Sequence, residues 1–136
     1  MSLFKTCDWW EHEAATSDTT DTYDVHSLVV DSLAGEGEEQ HMQVVLVSMA
    51  GLLQIYQPTH REGGQARAED LLLEQQLGLP VCQVDSGLLV AGQSGKQLAI
   101  LHPRNLSVYQ LSRRQGSGSQ GDSYVLSLAY QHNLLR

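Results

Sequence analysis

Basic residues are scarce in this chain: eight lysines and arginines stand against sixteen acidic residues, a formal net charge of −8. A nucleic-acid partner requires a basic face to neutralise phosphates, so the charge balance excludes that class. It is equally poor for electrostatic attachment to anionic lipid. Cysteine is nearly absent, and Cys7 and Cys82 lie in no CxxC pattern. Two isolated thiols suit a reducing compartment better than a disulfide framework. No apolar run reaches the length of about 18 residues that a membrane-spanning helix needs. The opening "MSLFKTCDWW" also lacks the apolar stretch of a signal peptide. These absences predict a soluble, intracellular chain.

The motifs of chemistry are missing too. Six histidines (His12, His26, His41, His60, His102 and His132) include no pair three or four residues apart and no close Cys–His cluster. Zinc sites need such spacing, so the histidines are expected to be scattered over the surface and strand ends, with no metal. Cys82, in "PVCQV", reads as a small buried hydrophobe rather than a nucleophile. Ser86 and Ser94 sit beside glycines, but no GxSxG elbow surrounds either. "AGQSGK", from Ala91 to Lys96, has the wrong spacing for a phosphate loop, and Gln97 stands where serine or threonine would be. It reads as a turn between strands. No cofactor and no enzymatic activity are expected.

What the chain does contain is repetition. With 136 residues, 41% of them hydrophobic, it can bury a core. "LLQIYQP" at 52–58 returns as "NLSVYQL" at 105–111, with Leu53, Ile55, Tyr56 and Gln57 answered by Leu106, Val108, Tyr109 and Gln110. "MQVVLVS" is answered by "KQLAILH", and "VDSLAG" is echoed by "VDSGLLVAG". In both passes a short turn, Met49-Ala50-Gly51 or Pro103-Arg104-Asn105, joins two apolar runs, which is a hairpin signature. "EDLLLEQQL", taken alone, suits a helix. Its counterpart "DSYVLSLAYQ" alternates apolar and polar residues, and the alignment of Leu73 with Leu126 makes "EDLLLEQQL" an outer strand.

A period near 53 with four short strands per unit is the pattern of a β-propeller blade. Continuous apolar runs such as "VVLV" and "LAIL" fit sheets buried on both faces. Glycine-histidine and tryptophan-aspartate pairs do not recur at repeat positions, which excludes a WD40 array. The predicted organisation is all-β, with about two four-stranded propeller blades and the start of a third. A leading segment spans 1–24, the first blade 25–77, the second 78–130 and the third begins over 131–136. Two blades cannot close a ring, so the chain reads as the front of something larger.

The same blocks resemble one family. "MSLFK", "DWW" at Asp8 to Trp10, "GLLQIYQP", "AEDLLLE", "LAILH", "LSVYQL" and "YQHNLLR" occur in order as in the parathyroid hormone-responsive B1 (Bardet–Biedl syndrome 9) family. The resemblance spans nearly the whole chain and weakens at Glu11 to Asp24 and around Gly116. It implies an amino-terminal seven-bladed propeller without a catalytic site. It further implies a scaffold subunit of the BBSome coat, with other BBSome subunits as direct partners and membrane-protein cargo as an indirect one. The implied locations are cytoplasm, cilium, ciliary membrane, basal body and centriolar satellites. Rival readings are a propeller module that binds a cargo peptide or a phosphoinositide, and a propeller hydrolase. Trp9 and Trp10 are the candidate partner-contact residues, since tryptophan dominates interface hot spots. Their alternative role is structural, capping the rim or filling the space between blades.

Overall fold

The computed structural model describes residues 3–14, 20–33, 41–93, 95–118 and 121–135. Residues 34–40, "AGEGEEQ", whose glycines and acidic residues read as a turn after the first strand, and Ser94 lie outside these described residues. Among the described residues, eight strands form two antiparallel sheets, and within each sheet every strand pairs with the next in sequence. The first sheet comprises β1 (Leu28–Asp31), β2 (Gln43–Val47), β3 (Leu52–Tyr56) and β4 (Leu71–Gln76). The second comprises β5 (Gln83–Gly87), β6 (Gln97–Leu101), β7 (Asn105–Arg114) and β8 (Ser123–Asn133). A 3₁₀ turn, Ala68–Asp70, precedes β4. "EDLLLEQQL" is thus mostly strand, because its leucines find a sheet to pair with and tertiary context overrides helix propensity.

Hairpin closure follows the residues that make it possible. Ser48 donates its amide to Leu52 O at 2.9 Å and accepts the Leu52 amide on its hydroxyl at 3.0 Å. Gly51 takes φ +100° to complete that loop, in a region L side chains rarely adopt. At the equivalent corner the His102 amide reaches Asn105 O at 2.8 Å. The His102 ring is buried, with Nδ1 2.8 Å from Pro80 O.

A second repeated device is polar. Gln43 and Gln97 open β2 and β6, and both are fully buried. Gln43 Oε1 accepts the amide of Leu33 at 2.7 Å, while its Nε2 donates to Gln57 Oε1 at 3.3 Å. Gln97 Oε1 accepts the amides of Leu89 and Val90, and its Nε2 donates to Gln110 Oε1 at 2.8 Å. Each glutamine ties the loop after the first strand to the third strand. Replacing Gln97 by leucine strands those two amides and the Gln110 carbonyl, and is expected to cost about 2 kcal/mol. Urea unfolding with an unchanged slope is the measurement that checks this.

The register also decides how the sheets stack. Residues opposite each other in an antiparallel pair share a face. Val44 lies opposite Tyr56 and Leu98 opposite Tyr109, so the two tyrosines occupy equivalent positions and point to equivalent faces. The first sheet buries the opposite face, with Val45, Val47, Leu53 and Ile55. The second buries the tyrosine face, with Val84, Leu98, Ile100 and Leu111. The sheets therefore stack front to back, with β1 beside β5 and β4 beside β8. Such a stack leaves two unlike faces open: Leu28, Val30, Val44 and Leu46 at one end, Ala99, Leu101 and Leu106 at the other. Asp31 pins the inner edge by accepting from Ser86 Oγ at 2.6 Å and Lys96 Nζ at 2.7 Å.

Three expectations change in detail. Cys82 is exposed, because it sits in a bend before β5 while its neighbours Val81 and Val84 take the buried positions. Leu126 lies opposite Leu111, whereas Leu73 lies opposite Ile55; the longer β7–β8 hairpin shifts the outer strand along its partner. Residues 131–133 continue β8, with Gln131, His132 and Asn133 opposite Ser107, Leu106 and Asn105. The end of the second sheet thus occupies the place expected to begin a third unit.

Candidate interaction site

The leading segment is laced onto the β3–β4 loop rather than lying free. The Glu11 amide donates to Gly64 O at 2.6 Å and the Ala66 amide to Glu11 O at 2.8 Å, a parallel bridge centred on Glu11 and Gln65. Gly64 (φ +71°) allows the close approach: a Cβ there would lie 2.7 Å from Asp8 O. Gly64→Ala is expected to lift residues 8–11 off the loop at a cost of about 1–3 kcal/mol. Gly63→Ala adds a side chain in open space and strains only its own backbone. Hydrogen exchange at the amides of Glu11 and Ala66 separates the two variants, with loss of protection expected for the first alone.

Asp70 is the hub of this attachment. Its side chain is 2% exposed, and both oxygens bind the Arg61 guanidinium at 2.7 Å. Oδ2 also accepts Trp10 Nε1 at 2.9 Å and the Arg67 amide at 3.0 Å. The Arg61 hydrogen bonds, helped by those from Trp10 and Arg67, outweigh burial and hold the carboxyl well below the usual carboxylate range. Trp10 and His12 then lean over Tyr56, at ring separations of 5.9 Å and 4.7 Å. The segment thereby covers the outer half of the tyrosine face of the first sheet, as the first sheet covers that face of the second. Burial raises the Tyr56 hydroxyl above its ordinary value, reinforced by Glu74 and Tyr23.

The two candidate tryptophans therefore part company. Trp10 is half-buried and structural. Trp9 is 54% exposed and stacks on His60, centroids 5.7 Å apart and planes 15° from parallel. Beside it a cleft of about 460 Å³ is lined by Cys7, Asp8, His60, Arg61, Glu62 and Gly63. Asp70 and Arg61 were not singled out by sequence reasoning, and His60 entered only as one of six scattered histidines, for they lie in a polar loop without periodicity. The recurrence of Gln57 and Gln110 was legible in the repeat, whereas their hydrogen bonds to Gln43 and Gln97 emerge only in the structure. Among the described residues no three His, Cys, Asp or Glu side chains group as metal ligands, and no helix is long and apolar enough to cross a membrane.

Two four-stranded meanders stacked front to back, with a leading segment laced over the first, have the arrangement of consecutive β-propeller blades. The family model described as PTHB1 N-terminal matches residues 1–136. Protein PTHB1 of Xenopus laevis is 40% identical over 137 residues, covering all of this chain and 16% of that protein. Protein PTHB1 of Mus musculus is 39% identical and that of Homo sapiens 38%, each with 15% of its own length covered. The chain belongs to the PTHB1 family and matches its amino-terminal part.

Proposed function

We propose that this chain is the amino-terminal portion of a non-enzymatic scaffold subunit of the BBSome, supporting assembly of that coat and traffic of membrane proteins to and from the cilium. Membership of the PTHB1 family over the full length of the chain carries the reading. The structure supports a mechanism of surface complementarity. Open apolar faces at both ends of the stack suit further sheets, and the outer loops are left for partner proteins. Direct partners are other BBSome subunits, and cargo and membrane are reached through them. The site of action is the cytoplasm, basal body, centriolar satellites and ciliary membrane. Co-expression with the remaining BBSome subunits of a longer chain, made by exchanging the amino-terminal part of Protein PTHB1 of Xenopus laevis for this sequence, tests the proposal. Co-purification of the complex, and its loss when the amino-terminal sheets are deleted, is expected. A longer chain that folds yet recovers no subunit overturns it.

A further inference from the structure

We infer that the outer edge of β8 takes up an extended, acidic-ended segment of a partner protein as a further antiparallel strand along Ser123–Leu128. β8 ends the order of the second sheet, and its outward row of N–H and C=O groups pairs with no strand among the described residues. Sheets usually blunt such an edge with charge, proline or a short strand, because an open edge is a template for another chain. The first sheet does so: β4 has 6 residues, carries Glu74 and follows Glu69 and Asp70. β8 does not. It runs 11 residues, "SYVLSLAYQHN", without a lysine, arginine, acid, glycine or proline. Its ladder with β7 continues past Tyr109–Leu128 to Arg114–Ser123, whereas the outer ladder of the first sheet stops at Tyr56–Leu71. This extra length is anchored, since Leu111 and Leu126 face each other in the core and Tyr124 packs against it. Leu128, next along the same face, is 51% exposed. Ala129 is an extra residue between Leu128 and Tyr130, a bulge that ends the flat stretch. The edge is therefore apolar and ordered before a ligand arrives, and ordering is where binding usually loses free energy.

Charge chooses the occupant. Residues 1–102 hold four basic residues against fifteen acids, whereas residues 103–136 hold four arginines against Asp122 alone, a local +3 in a chain of −8. Across the ladder, Arg113 lies opposite Tyr124 and Arg114 opposite Ser123. Asp122 already pairs with Arg113. Arg114 is exposed and forms no ion pair among the described residues. An added strand would lie about 10 Å from β7, two strand spacings, which an arginine and a glutamate side chain span together. A second copy of this chain fits poorly. Arg104 marks the other end of β8, where its carbonyl accepts the Leu134 amide, so β8 against β8 brings arginine to arginine in either direction. An acidic segment meets no such opposition. Antiparallel addition makes the better ladder, and it sets the carboxy-terminal end of the segment beside Arg114. Main-chain hydrogen bonds then supply the affinity and the flanking charges the polarity.

The inference deepens the scaffold reading by naming the chemistry of one partner contact, and it rests on that reading. The test titrates a short capped peptide, alternating threonine and valine and ending in two glutamates, into the chain at concentrations where light scattering shows a monomer. A dye on the peptide reports binding by anisotropy, and hydrogen exchange locates it. Saturable binding is expected, with new amide protection within Ser123–Leu128 and none at Leu71–Gln76. N-methylation of every peptide amide keeps the side chains, removes the donors and should abolish binding. Moving the two glutamates to the amino-terminal end of the peptide should weaken it at least about threefold, and so should Arg114→Glu in the protein. An unchanged melting curve for that exposed substitution shows that the fold is intact. Equal binding of the N-methylated peptide, protection at β4 as strong as at β8, indifference to the glutamate position or to Arg114→Glu, or no saturation below about 1 mM overturns the assignment. If the peptide fails while BBSome subunits still co-purify, the edge assignment alone falls; if the peptide binds and no subunit co-purifies, the scaffold reading falls.

Discussion

Asp70→Ala is expected to destabilise the protein by about 3–5 kcal/mol, the range for removing one partner of a buried ion pair. The change leaves the Arg61 guanidinium with Glu69 alone and strands the Trp10 and Arg67 N–H groups. It should also free residues 8–12, visible as loss of amide protection at Glu11 and a red shift of Trp10 emission. The pH dependence has a definite sign. Asp70 titrates below its unfolded value, so its contribution is complete above about pH 4 and is lost as pH falls through the folded value. Asp31 works in the same direction. Burial alone would raise it, but hydrogen bonds from Lys96 and Ser86 more than offset that. Asp70→Asn keeps the shape and removes the titration, so its stability should vary less with pH between about 4 and 2 than that of the parent. A parent-like acid limb in this variant would show that the hub does not govern acid sensitivity.

Residues 1–136 in isolation are expected to self-associate or to melt broadly. Leu28 is 52% and Val30 53% exposed on the open face of the first sheet. Leu101 and Leu106 are only half-buried on the open face of the second. An uncovered patch on the order of 400 Å² forgoes roughly 10 kcal/mol at about 25 cal/mol per Å². That is comparable to the whole stability of a typical domain, about 5–15 kcal/mol. Light scattering and a melting curve, run beside the full-length Protein PTHB1 of Xenopus laevis, make the comparison. Leu28→Lys with Val30→Thr should reduce association of the short form, because charge at an open sheet face opposes stacking. A short form that stays monomeric with a sharp cooperative melt would mean that these faces need no cover.

The sequence alone determined the all-β class, the two-unit repeat and the strand order, because strand pairing of neighbours depends on local signals. Apolar runs, short turns with Gly51 or Pro103, and the recurring Tyr-Gln of β3 and β7 are all properties of contiguous residues. The repeat even carried "EDLLLEQQL" to its strand against its own helix propensity. Tertiary structure decided everything that joins residues far apart. The outer-strand register moved because the β7–β8 hairpin is longer, and Cys82 turned outward because Val81 and Val84 took the buried positions. The front-to-back stacking follows from which face each sheet hides, and a period of 53 residues is the same for either face. The separation of Trp9 from Trp10 is of this kind as well. Adjacent in sequence, they part because one indole finds Asp70, 60 residues away, and the other finds His60. A buried carboxylate chooses its partners by distance in space, which no spacing along the chain encodes.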